Sequence, residues 1–153
     1  FTKANADIGG AFINQVLQEF CEIHENCYLF DSLGSRKYLS MLAGCKVVIG
    51  NSSSGIYEAP AFRIPTINIG NRQNGRVKAK SIVDCKPNKE EIVKAIKMVQ
   101  SNSFTKKLKN MKIPFEGGKT AEKILEKIVQ VVENKINLQK GFYDIYFKTD
   151  IEK

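Results

Sequence analysis

The sequence is poor in the residues that build metal and redox centres. Its four cysteines, Cys21, Cys27, Cys45 and Cys85, form no C-x-x-C pair and no zinc-type spacing. The one histidine, His24, falls near the end of a helical pattern, where a surface side chain is expected rather than a ligand. No metal or redox cofactor is suggested. No apolar run approaches the roughly 18 residues of a membrane span, and no leader pattern opens the chain. The chain therefore reads as cytosolic and reduced, with no membrane partner. Blocks of five or six basic residues are also absent, as is any nucleic-acid-binding motif. The net charge of +8 is spread as lysines along helical segments. It reads mostly as solvated helix faces; a basic balance suits an anionic ligand and also fits nucleic acid or a membrane surface. Gly117-Gly118-Lys119-Thr120 looks like the end of a phosphate-binding P-loop, but that motif needs glycine at 113, where Ile113 stands.

What is present is an alternation of short apolar runs and helical patterns. The 153 residues, 42% hydrophobic and 26% charged, suffice for one globular domain. Residues 11–25 predict an amphipathic helix with Phe12, Ile13, Val16, Leu17 and Phe20 on its inner face. Strands are expected at 28–30, 46–50, 66–69 and 81–85. Asp31 to Ser35 is a turn into a helix with Tyr38, Leu39 and Leu42 apolar. Asn88 to Gln100 is a helix opened by an Asn88–Glu91 capping box. Helices follow over 103–111 and 120–136. This alternation predicts a Rossmann-like, doubly wound parallel α/β fold.

The most informative stretch runs from Gly50 to Arg76. A strand ends in the small polar turn Asn51-Ser52-Ser53-Ser54-Gly55, and a short helix over 56–62 is closed by Pro65. Unpaired amides and the dipole at such a helix start favour an anion, and the serine hydroxyls add donors. Such turns are more often plain helix caps. Glu58, one helical turn after Ser54, changes the balance. A carboxylate beside a phosphate site suits the paired hydroxyls of a ribose, and Arg72 and Arg76 could balance phosphate charge.

These residues carry a resemblance. GNSSSGIYEAP followed by PTINIGNRQNGR resembles the nucleotide-binding signature of the UDP-N-acetylglucosamine 2-epimerases. FTKANADIGG, SLGSRKYLSML and LQKGFYDIYF extend the resemblance over most of the chain. The hydrolysing, sialic-acid-pathway branch fits better. The non-hydrolysing branch typically has an S-G-G turn and a further acid before E-A-P, where Ser53, Ser54 and Tyr57 stand here.

The resemblance implies the C-terminal half of a two-domain, glycosyltransferase-B-like architecture. It implies a domain over 1–137 and an aromatic tail over 138–153 that crosses toward the N-terminal domain. It places UDP on Asn5, Leu33, Ser52, Ser53, Glu58 and Arg72. Asn5 reads equally well as a plain turn residue before Gly9-Gly10, and the Leu33 turn by itself is a capped helix start. Catalytic carboxylates are expected in the N-terminal domain, so none is assigned in this chain. The implied reaction converts UDP-N-acetylglucosamine to N-acetylmannosamine and UDP, and a homo-oligomer is expected. A related UDP-sugar 2-epimerase, a nucleotide-sugar glycosyltransferase and a non-catalytic UDP-binding module are the competing readings. By the same resemblance the sheet order is 3-2-1-4-5-6, with a central strand absent from these residues. The 153 residues alone are therefore expected to be inactive, and either to belong to a longer protein or to pair through open strand edges.

Overall fold

The structure is a computed structural model that describes residues 1–4, 8–134 and 141. It divides into two compact units, Phe1–Glu116 and Gly117–Lys153. In the first unit, strands β1 (Val48–Gly50), β2 (Thr66–Ile69) and β3 (Ile82–Cys85) form a parallel sheet in the order β1-β2-β3. The register pairs Ile49 with Ile67 and Ile67 with Val83. Helices α1 (Gly10–Glu22), α2 (Gly34–Gly44), α3 (Ser54–Tyr57), α4 (Lys89–Val99) and α5 (Asn102–Lys109) accompany it.

Alternation along β2 organises both faces. Ile67 is fully buried against Ala95 and Val99 of α4, which lie one turn apart on that helix. Thr66 points to the opposite face and meets α3 at Gly55, its hydroxyl donating to the Gly55 carbonyl at 2.9 Å. Asn68, also buried, donates from Nδ2 to Asp84 Oδ1 at 2.6 Å. The Lys78 ammonium reaches the same carboxylate at 2.7 and 2.9 Å. Partial burial pushes the Asp84 carboxyl up, but Lys78 and Asn68 outweigh it and hold the group below its ordinary range. A second cluster packs Ala79, Leu108 and Met111 beneath α5.

Helix starts follow their caps. The Asn88 side chain accepts from the Glu91 amide at 2.9 Å, and Ser101 accepts from the Phe104 amide at 3.3 Å. The expected helix over 56–62 takes a different form. It begins earlier, as α3, and after Glu58 continues as a 3-10 turn, Ala59–Phe62. Pro60 brings no amide donor and biases Ala59 away from the α region, so the ladder shortens to the Ala61 amide on the Glu58 carbonyl.

The expected strand at 28–30 is reduced to one parallel bridge, Thr2 to Phe30. That bridge stands apart from the three-stranded sheet, and β1 has no neighbour on its outer edge among the described residues. This explains the inner face predicted for α1. Phe12, Ile13, Val16 and Phe20 remain substantially exposed, because no strand of the described residues covers that face. His24, two residues past the end of this helix, stacks on Phe20 at 3.9 Å between ring centroids with Nδ1 at 2.8 Å from the Phe20 carbonyl oxygen. Both contacts are local, in keeping with a surface role.

In the second unit, α6 (Thr120–Glu133) follows Gly118 and carries an apolar stripe that includes Ile124, Leu125, Ile128 and Val132, all exposed. Ile136 and the aromatics of the tail lie outside the described residues. Among the described residues no helix is long and apolar enough to cross a membrane.

Candidate functional site

At the C-terminal end of β1 the chain leaves the sheet through Gly50, at φ +150°, a conformation that side chains disfavour. The serine turn then folds on itself. Ser52 Oγ accepts from the Ser54 amide at 3.3 Å, and the Ser52 carbonyl accepts from the Gly55 amide at 3.2 Å. The Ser53 carbonyl accepts from the Ile56 and Tyr57 amides at 2.9 and 3.0 Å. Three of the helix-start amides expected to be unpaired, those of Ser54, Gly55 and Ile56, are thus already occupied. A helix of four residues also sums only a few peptide dipoles. The Ser52 and Ser53 amides and the Ser52 and Ser53 hydroxyl protons have no acceptor among the described residues. An anion here would meet the outside of the turn rather than the axis of a helix.

A cavity of about 520 Å³ opens beside this turn, within the usual range for a small-molecule site. Its lining includes Asn51, Ser52, Gly55 and Arg72, together with Thr2, Lys3, Ile13, Leu17, Val48 and Ile49. The structure thus brings together Ser52 and Arg72, which are 20 residues apart in the sequence. Ser53 and Glu58 are exposed on the same segment but outside that lining. The Glu58 amide donates to the Ser54 carbonyl at 2.9 Å, so the expected one-turn separation holds. The Glu58 carboxylate has no ion-pair partner among the described residues.

Leu33 precedes α2, where Ser32 Oγ accepts from the Gly34 amide at 3.2 Å. Arg76 is placed differently from Arg72. Its guanidinium lies 5.5 Å from the centre of the Tyr57 ring, which also packs on Phe115 at 4.7 Å. Asn5 lies outside the described residues. The preceding residue, Ala4, is held by α1, where Asn14 Oδ1 accepts from the Ala4 amide at 2.7 Å.

Two residues escaped the sequence reading. Gln73 is only 2% exposed and donates from Nε2 to the Asn51 carbonyl at 2.7 Å. Tyr38 of α2 shares a hydrogen bond with Ser54 Oγ. The one local hint of the first was an uncharged amide set between Arg72 and Arg76.

Nucleophilic chemistry has little support. Burial, with the Glu91 and Asp84 carboxylates nearby, pushes the Cys85 thiol up, so it stays protonated at neutral pH. No group of three or more histidine, cysteine, aspartate or glutamate side chains among the described residues could hold a metal. The chemistry offered is binding of an anion by amides, hydroxyls and an arginine, with the Glu58 carboxylate one turn away.

Comparison with known proteins bears on this arrangement. Residues 1–129 match the family described as UDP-N-acetylglucosamine 2-epimerase. A GDP/UDP-N,N'-diacetylbacillosamine 2-epimerase (hydrolyzing) from Campylobacter jejuni is 44% identical over 146 residues, covering 95% of this chain and 38% of that protein. Polysialic acid biosynthesis protein P7 from Escherichia coli is 34% identical over 145 residues, covering 95% of this chain and 37% of that one. A solved structure described as a UDP-N-acetylglucosamine 2-epimerase, from Listeria monocytogenes, superposes with a TM-score of 0.63 at 17% identity, over 93% of this chain and 38% of that one. That likeness supports the Rossmann-like α/β fold. The chain spans under two-fifths of the length of these proteins.

Proposed function

The chain belongs to the UDP-N-acetylglucosamine 2-epimerase family, and from that membership we propose that it is the C-terminal, UDP-holding part of a hydrolysing 2-epimerase. The substrate is a UDP-activated 2-acetamido sugar. The observation that carries this reading is that Ser52 and Arg72 line one cavity at the C-terminal end of β1, where open α/β sheets receive ligands.

The reaction removes the proton at sugar C2 and breaks the bond from C1 to the β-phosphate oxygen, releasing UDP and leaving an unsaturated sugar. Water then adds, hydroxyl to C1 and proton to the opposite face of C2, giving a free sugar of inverted C2 configuration. The acid and base belong to the N-terminal domain. In this chain the Ser52 and Ser53 amides, the Ser53 hydroxyl and Arg72 hold the negative charge that grows on the β-phosphate as the bond breaks. Glu58 accepts from the ribose hydroxyls. Asn5 contacts the nucleotide, and the Leu33 backbone frames the uracil.

With UDP-N-acetylglucosamine the product is N-acetylmannosamine. The 44% identity to the Campylobacter protein favours a second reading, in which the sugar is N,N'-diacetylbacillosamine. Mass spectrometry of the products from the full-length protein tests both. UDP plus a free 2-acetamido sugar, formed without an acceptor, is expected. A requirement for an acceptor sugar would instead identify a glycosyltransferase. Binding of UDP should also depend weakly on salt, whereas non-specific polyanion binding falls steeply.

Ser53 gives a direct test of the phosphate position. Its side chain is exposed and its hydroxyl has no partner among the described residues, so Ser53→Ala leaves the fold unchanged. Ser53→Val places bulk where the diphosphate approaches the backbone. Titration should find UDP binding weaker in the valine variant than in the alanine variant by about 1–3 kcal/mol, the usual cost of overpacking. Equal affinities would move the diphosphate off this turn.

A further inference from the structure

Bonds within the serine turn set its local shape, but three side chains from other elements fix its place. Thr66 donates to the Gly55 carbonyl, Tyr38 bonds Ser54 Oγ, and Gln73 donates to the Asn51 carbonyl. Of these, only Gln73 comes from the loop that also carries Arg72. Adjacent side chains there diverge. Arg72 lines the cavity, while Gln73 is buried beneath the turn.

The orientation of the Gln73 amide is determined by its partner. A carbonyl oxygen accepts only, so Nε2 must face Asn51. Oε1 is then left buried with no hydrogen-bond partner among the described residues. An unsatisfied buried acceptor costs stability. A side chain selected for packing alone would be apolar here. The amide contributes what an apolar group cannot, a directional link that fixes how far Arg72 stands from Asn51 and Ser52.

Resting on the UDP-binding reading above, we infer that Gln73 is a positioning residue for the diphosphate, setting the spacing between the Arg72 guanidinium and the serine turn. A diphosphate contacts both groups at once, so a small shift in their separation weakens its binding sharply. Uridine, which lacks phosphates, does not feel that spacing.

The test is Gln73→Met in the full-length protein, a change that keeps the length of the side chain and removes both polar atoms. Thermal unfolding should change little, because one hydrogen bond is lost and one unsatisfied acceptor is relieved. UDP affinity should fall about ten-fold, the scale of one good hydrogen bond, while uridine affinity stays within about two-fold of wild type. Amide hydrogen exchange should speed up at residues 52–56 and stay unchanged in β2 and β3. Equal losses for UDP and uridine with a lowered Tm would make Gln73 a merely structural residue and overturn the proposal. Unchanged UDP affinity in a wild-type protein that does bind UDP would overturn the positioning role alone. Absence of UDP binding in wild type would overturn the reading of the site and the proposal with it.

Discussion

Gly55→Ala should destabilise the protein by about 1–3 kcal/mol, the range for overpacking a filled site, although alanine normally improves on glycine in a helix by about 1 kcal/mol. The reason lies across the interface between α3 and β2. A Cβ on Gly55 would stand 2.6 Å from Thr66 Cγ2, well inside van der Waals contact. Thr66 cannot simply turn away. It is 2% exposed, and its hydroxyl is committed to the Gly55 carbonyl. Relief therefore comes from lifting α3, with the serine turn ahead of it, off the sheet. UDP binding should fall together with stability. Denaturant unfolding of Gly55→Ala and of the Gly55→Ala, Thr66→Ser pair checks the cause. Serine keeps the hydroxyl and deletes the clashing methyl, so the double variant should recover most of the loss. No recovery would show that the methyl contact is not what requires glycine.

Glu58→Ala should weaken UDP binding by about 1.5–3 kcal/mol, the range for hydrogen bonds to a charged group. The carboxylate is exposed and unpaired among the described residues, so its removal orphans no partner among them. Stability should stay near wild type, which separates this variant from Gly55→Ala. 2′-Deoxy-UDP isolates the contact. Wild type should bind it more weakly than UDP, and Glu58→Ala should scarcely distinguish the two. Calorimetric titration of both nucleotides against both proteins completes the cycle. If removing the 2′-hydroxyl costs the mutant as much as the wild type, Glu58 does not hold the ribose.

Much of this molecule is written locally in its sequence. Thr66-Ile67-Asn68-Ile69, bounded by Pro65 and Gly70, forms β2 as its alternation requires. Asn88 and Glu91 make the predicted capping contact because both partners lie within one turn. The separation of Ser54 and Glu58 follows from the helical repeat alone. Ser52 and Arg72 could be singled out as candidates because strand, turn and strand follow one another in a short span.

Contacts between elements were decided by the fold. The sequence shows a glycine at 55 but not the methyl of Thr66 facing it, 11 residues on. It shows Gln73 but not the Asn51 carbonyl 22 residues earlier. It pairs Arg72 with Arg76 as equivalent cations, whereas folding sets one on the cavity wall and the other over Tyr57. Even the helix-start amides were settled by how the turn closed, with Ser52 taking two of them. The physical reason is common to these cases. Hydrogen-bond spacing within a helix or turn is fixed by covalent geometry and can be counted along the chain. The parallel register of β1 on β2 brings distant residues together, and that register follows from burying Ile67 on one face and seating Thr66 against Gly55 on the other.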